Sequence, residues 1–301
     1  VLGWGMFRRI ILFLAINCLI VLTISVILSV FNVRPYITRY GLNFHSLMLF
    51  CLIWGMVGAL ISLALSRKMA KWMMRVKLID GSMEDYAKLY RTVERLARHS
   101  GLPDVPEVGV FASPDINAFA TGPTKRRSLV AISTALLERM DDHELEAILG
   151  HEISHIANGD MVTMTLIQGV VNAFVMFLAR IASYALSSLG RDQRGNSRPS
   201  YSNYHIMTFL FEILFMVLGS LLVAFFSRHR EFRADRGGAL LSRREYMVAA
   251  LEKLKMAKTE RTTVPPSMNA MMISIPHKEG VLRLFSTHPP IEQRIARLRD
   301  S

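Results

Sequence analysis

Apolar and polar positions along this chain fall into two regimes. From residue 10 to 31 and again from 44 to 65 the sequence is apolar almost without relief; the first stretch holds no charge and the second only His45 at its rim. Each is long enough as a helix to cross a hydrocarbon core of about 30 Å, and both are predicted to be transmembrane. Two later apolar stretches are less clean: 161–189 contains Gln168, Asn172 and Arg180, and 206–226 contains Glu212. They read either as a spanning or deeply inserted helical hairpin or as two buried helices of a soluble domain. Their connection, 190–205, carries Arg191, Arg194 and Arg198, which argues against placing it outside the cell. In an antiparallel hairpin Arg180 and Glu212 fall within about three residues of each other, roughly 4.5 Å, close enough to pair and ease the burial of either charge.

Between these blocks the periodicity changes. Over 83–100, Tyr86, Leu89, Tyr90, Val93, Leu96 and Ala97 recur at three- and four-residue steps, which predicts an amphipathic helix ended by Gly101, Pro103 and Pro106. Short β-like runs follow at 107–112, 117–121 and 128–132, punctuated by Pro114-Asp115 and Gly122-Pro123, and predict a small antiparallel sheet. Ala118-Phe119-Ala120 reads either as a core strand or as an edge strand that pairs with an extended peptide. Segment 259–280, with Pro265, Pro266, Met268, Met271 and Met272, reads as a mobile lid, a lipid-facing loop or a disordered connector. The pattern predicts an α+β, mainly α, chain: a membrane anchor over 1–66, a soluble part over 67–160, a hydrophobic hairpin over 161–226 and a second soluble part over 227–301.

Composition agrees, with 51% hydrophobic residues and a mean hydropathy of +0.29. The net charge of +12 sits largely beside apolar runs, so it reads as a topology signal rather than a nucleic-acid surface. Arg8 and Arg9 precede the first run and Arg67, Lys68, Lys71, Arg75 and Lys77 follow the second, whereas the loop between holds only Arg34 and Arg39. Both outer flanks are therefore predicted to be cytoplasmic. Met6-Phe7-Arg8-Arg9 reads as a natural start, preceded by residues 1–5. Cys18 and Cys51, both in apolar stretches, read as buried hydrophobes and not as a disulfide framework.

The chemistry lies in 141–159. Asp141 and Glu144 form a capping-box pattern, Leu145, Ile148 and Leu149 a packing stripe, and Gly159 a terminator, so the segment is a helix by its own signals. His151-Glu152-Ile153-Ser154-His155 places two imidazoles one turn apart on one face, which suits a tetrahedral zinc. Zinc with three protein ligands keeps one position for water and acidifies it towards a pKa of about 7. Glu152, on the flank of that face, is placed to take the water's proton and pass it to the leaving amine. The third ligand comes from elsewhere: Glu231, Glu245, His277 and His288 are the candidates. Glu231 is preferred because Glu231-Phe232-Arg233-Ala234-Asp235 offers two carboxylates four apart, one for the metal and one to orient a ligand histidine. No phosphate-binding glycine loop occurs in the sequence.

At these residues the chain resembles the HtpX family of bacterial membrane metalloproteases, a branch of the gluzincins. The resemblance rests on Asn117-Ala118-Phe119-Ala120-Thr121-Gly122, on His151-Glu152-Ile153-Ser154-His155 with Asn158-Gly159-Asp160, on Glu231-Phe232-Arg233-Ala234-Asp235, and on Ser286-Thr287-His288-Pro289-Pro290. It implies a zincin-like fold and a heat-shock endopeptidase with one Zn2+ per chain, held by His151, His155 and Glu231. It places that enzyme in the cytoplasmic (inner) membrane, its active site facing the cytoplasm. Its implied substrates are misfolded or damaged membrane proteins, degraded alongside the membrane-bound ATP-dependent protease. It also makes Asn117, Ala118, Phe119 and Ala120 a substrate-binding edge strand, puts Asp235 behind a ligand histidine, and places His288 and Arg294 near the cleft. Two alternatives stand beside this reading: a membrane scaffold or chaperone with a structural metal, and a narrow processing protease.

Overall fold

The computed structural model describes residues 22–24, 26–30, 37–38, 41–189, 201–262 and 286–300. Most of the first apolar stretch, the 190–200 part of the hairpin connection, His277 and the 263–280 part of the Met-rich segment lie outside the described residues; 22–24 and 26–30 are helical. In chain order come β1 (Ile37–Thr38), β2 (Gly41–Leu42), α1 (Phe44–Met73), β3 (Lys77–Ile79), α2 (Ala87–His99), β4 (Glu107–Phe111), β5 (Ala118–Thr121), β6 (Leu129–Ser133) and α3 (Thr134–Arg139). They are followed by α4 (Asp142–Asn158), α5 (Asp160–Leu189), α6 (Tyr201–Leu241), α7 (Arg244–Thr262) and α8 (Ile291–Arg299). The chain divides into two compact units, one of Val1–Ser62 with Thr165–Val223 and one of Leu63–Met164 with Ala224–Ser301.

The first unit is built from long apolar helices. Among the described residues three helices, Phe44–Met73, Asp160–Ser187 and Tyr204–Leu241, are long and apolar enough to cross a membrane. Large apolar side chains such as Phe174, Phe209 and Leu222 are more than half exposed, which suits lipid rather than water as the surrounding solvent. Arg180 and Glu212 do pair, with Nη1 donating to Oε1 at 2.7 Å, and the guanidinium also lies 5.5 Å from the Phe50 ring centroid. Both interactions lower the cost of a charge in an apolar setting.

The second unit packs helices on a four-stranded sheet of order β3-β4-β6-β5. The sheet is mixed rather than purely antiparallel: β3 runs antiparallel to β4 and β5 to β6, but β4 and β6 are parallel. The strand that follows β4 in the chain, β5, goes to the outside of β6 and leaves β4 and β6 side by side. Buried at every position, β6 is the centre of the sheet. The amphipathic stripe of α2 buries Leu89, Val93, Leu96 and Ala97. Its core contacts are shared with Ile148, Leu149 and Ile153 of α4 and with Met247 and Leu251 of α7. The capping box forms as expected: Asp141 accepts from the amides of His143 and Glu144, and the Glu144 side chain accepts from the Asp141 amide. Gly159 ends α4 in the left-handed region at φ 70°, where a side chain would be strained. The next residue, Asp160, already begins α5.

Candidate metal centre

Helix α4 carries His151 and His155 on one buried face, and their Nε2 atoms lie 3.2 Å apart. Glu231, from α6, meets them: its Oε2 is 3.7 Å from His151 Nε2 and its Oε1 3.4 Å from His155 Nε2. All three residues are buried, Glu231 to 1% exposure, and one ligand atom from each lies within 4.8 Å of the others. Glu231 Oε1 is buried without a hydrogen-bond partner, a costly state for a carboxylate oxygen. An imidazole–imidazole–carboxylate set with such an orphaned oxygen is what a divalent zinc-like cation satisfies, so the residues fit a metal. Two carboxylates expected to be near each other thus face one way from α6, Glu231 towards both Nε2 atoms and Asp235 towards His151, whose Nδ1 is 3.0 Å from Asp235 Oδ1.

This reach depends on how closely α6 passes α4. A Cβ on Gly238 would lie 3.0 Å from the His151 amide nitrogen and 3.2 Å from the Ala147 carbonyl oxygen. Main chain meets main chain there, which brings the carboxylates of α6 within range of the imidazoles.

Charge in the pocket is strongly coupled. Burial pulls the His151 pKa down, but the neighbouring carboxylates of Asp235 and Glu231 outweigh it and push it up to about 9. His155 is raised as well: burial opposes, and Asp160 and Glu231 prevail. Burial drives Glu231 up, yet His151, His155 and His288 hold it far below the ordinary carboxylate range. Asp235 is lowered against its burial by Arg294 and His151.

Of the remaining expected residues, Glu152, His288 and Arg294 lie at this pocket, and 117–120 lie on or beside strand β5. Glu152 is partly exposed beside the ligand face, and its charge acts on both His155 and Arg294. His288 donates from Nδ1 to Glu231 Oε2 at 2.9 Å while its side chain stays 64% exposed. Its segment is held by Arg228, which donates to the Ser286 carbonyl. Arg294 does reach the site, but its guanidinium is committed to Asp235 at 2.8 and 2.5 Å. Strand β5 is one of the two edge strands of the sheet, and its Ala118 and Ala120 side chains join the core shared with α4. Phe119 points to the other face, 5.6 Å from the Phe111 ring. The Asn117 carbonyl accepts from the Ser133 amide. By the alternation of antiparallel pairing, the backbone groups of Ala118 and Ala120 are the ones turned away from β6.

Three features of the pocket escaped the sequence reading. Gly238 carries no chemical signal, and close backbone approach is its only trace. Asp160 was visible as part of Asn158-Gly159-Asp160 but had no assigned partner; its carboxylate lies 2.7 Å from His155 Nδ1. Arg233, between the two carboxylates of α6, pairs with Asp160 across 73 positions of sequence.

Comparison with known proteins agrees with this geometry. Residues 84–301 match Peptidase family M48. Protease HtpX of Thioalkalivibrio sulfidiphilus (strain HL-EbGR7) is 46% identical over 297 residues, covering 97% of this chain and 98% of that protein. The Protease HtpX homolog of Bacillus subtilis (strain 168) is 45% identical over 302 residues, covering 97% and 99%. The crystal structure of S. mikatae Ste24p superposes with a TM-score of 0.64 at 19% identity, covering 97% of this chain and 65% of that one, so the present chain spans just under two thirds of its length. That likeness establishes a Ste24-like fold. The chain is therefore a membrane metallopeptidase, and it belongs to peptidase family M48 and, within it, to the HtpX proteases.

Proposed function

We propose that the chain is a zinc-dependent endopeptidase of the bacterial inner membrane whose active site faces the cytoplasm and whose substrates are misfolded or damaged membrane proteins. The observation that carries this reading is the buried convergence of His151, His155 and Glu231. These three residues would hold the zinc, which when bound supplies Lewis acidity to a peptide carbonyl and to water. Glu152 takes the proton of the attacking water on its carboxylate and returns it to the departing amine nitrogen. Asp235 Oδ1 stands 3.0 Å behind His151 Nδ1, and its charge favours the proton on that nitrogen and so leaves Nε2 for the metal. The outward amide and carbonyl groups of Ala118 and Ala120 pair with an extended peptide, which otherwise leaves its own backbone groups unsatisfied in the cleft. Asn117 and Phe119 anchor that strand, and exposed His288, beside Glu231, lies at the substrate side of the pocket.

Orientation is supported by the basic flanks, Arg8 and Arg9 before the first span and Arg67 to Lys77 after the second. A broad substrate class is supported by an edge strand that reads backbone rather than side chains. Without a nucleotide-binding loop, unfolding work must come from a separate ATP-dependent system or from substrates already unfolded. The test is metal analysis and a peptidase assay on detergent-purified full-length protein, with and without a chelator. One zinc per chain and chelator-sensitive cleavage of membrane substrates are expected; cleavage that survives complete metal removal overturns the reading.

A further inference from the structure

His155 is braced from behind by a device that matches the one behind His151. Its Nδ1 lies 2.7 Å from Asp160 Oδ2, and the other oxygen of that carboxylate is ion-paired with Arg233. On the opposite side, His151 Nδ1 lies 3.0 Å from Asp235 Oδ1, and Asp235 is gripped in turn by Arg294. Two chains of the same composition, arginine to aspartate to histidine, therefore converge on one pocket. In each, the far ring nitrogen is the one turned towards Glu231. Of the two contacts behind the rings, only that of Asp160 meets hydrogen-bond geometry here, since His151 Nδ1 lacks an aligned partner despite the short distance.

We propose that Asp160 is a positioning residue for the metal: it holds the proton of His155 on Nδ1 and aims the Nε2 lone pair into the pocket, while Arg233 keeps Asp160 in that pose. The proposal rests on the reading of His151, His155 and Glu231 as the metal ligands. Burial supports it, because Asp160 is 1% exposed. A carboxylate that deep is tolerated only when both oxygens have partners, and here the partners are His155 and Arg233. Chain geometry supports it too. The left-handed turn at Gly159 folds the backbone back at the end of α4, so that the very next side chain stands behind the histidine one turn earlier. Each aspartate is thus paired with its own arginine, whereas the arginines nearest Glu231 among the described residues, Arg230 and Arg294, stand 3.6 and 3.9 Å away.

The test is zinc affinity of the full-length protein in detergent, measured by competition with a chromogenic chelator, for the native chain and for Asp160→Ala, Asp160→Asn and Arg233→Gln. Removal of such a partner lowers metal affinity by about 10- to 100-fold, and that loss is expected for Asp160→Ala. Asp160→Asn keeps an acceptor oxygen and serves if the alanine variant does not fold; it and Arg233→Gln should lose about tenfold, the low end of that range, and a folded Asp160→Asn with native affinity counts against the proposal by itself. The Co2+-substituted proteins should show a changed ligand-field spectrum that follows the affinity. Wild-type zinc affinity in both Asp160 variants overturns the proposal, as does a lowered melting point of the zinc-free variants with affinity intact, which marks Asp160 as merely structural. A native chain that binds no zinc at all fails the proposed function instead, so the two failures are told apart.

Discussion

Glu152 and His151 are neighbours to which the proposed function gives opposite tasks, and substitution separates them. Glu152→Gln should keep stoichiometric zinc and lose about 10²- to 10⁴-fold in kcat, the usual contribution of a positioned general base; equal biological activity with and without this change would favour a scaffold. His151 brings a pH dependence. Its pKa in the metal-free protein is about 9, whereas zinc takes the neutral ring, so zinc must displace protons below that pH. Apparent zinc affinity is expected to climb with pH and flatten above about 9. Metal-free stability responds with the opposite sign: a native pKa above the unfolded 6.5 gives a contribution fully present below about 6.5 and lost as pH rises through about 9. Thermal melts of both forms across this interval check the pair of signs. At this scale much was legible, because a four-residue spacing on a helix is geometry written directly into sequence: it pointed to the two histidines and favoured Glu231 over His288, which the fold then placed against Glu231 itself. Arg294 showed only its chemistry, not its partner. The link of Asp160 to Arg233 was hidden because it is made by a tertiary fold and not by periodicity.

Among the elements, β5 carries the most specific expectation. The Ala120 amide faces away from β6, so Ala120→Pro removes a donor to the substrate without removing a ladder bond. The expected outcome is a rise in KM of about tenfold, near one net hydrogen bond, at unchanged zinc content; a variant with native KM excludes β5 as the substrate strand. In the apolar unit, Arg180→Glu should lower the detergent melting point, and Glu212→Arg in the same chain should restore part of it, since the pair is direct at 2.7 Å. Failure of that rescue would show that each charge has other dominant partners. Strand positions were readable to within about a residue from β-branched runs between turns. Two things were not. The three-residue strand β3 is too short for a pattern, and the parallel pairing of β4 with β6 depends on where β5 goes, which local sequence does not encode. Likewise 206–226 and the Glu231 segment read as separate pieces but form one 41-residue helix.

For the whole molecule, His155 precedes the third and fourth apolar stretches and Glu231 follows them. A shared metal therefore requires those stretches to cross the bilayer twice or not at all. A chain with Cys18 and Cys51 replaced and Arg91→Cys introduced, on an exposed position of α2, should react with an impermeant thiol reagent only from the cytoplasmic side of inverted vesicles. Labelling from the outer face of intact cells would reverse the proposed orientation. The membrane character was plain from hydropathy alone. What hydropathy withheld was the depth of the later stretches, since one charge in each weakens the signal while their mutual pairing repairs the cost.

Where α4 and α6 cross at Gly238, neither helix interposes so much as a methyl group. The gauge of the proposed coordination sphere is thus the thickness of two polypeptide backbones, a dimension that drift among the surrounding leucines and isoleucines leaves untouched. An added carbon at that crossing, as in Gly238→Ala, wedges the carboxylate donor away from the imidazoles by a few tenths of an ångström. Zinc titration of that variant should register the widened gap, although the altered position bears no functional group of its own.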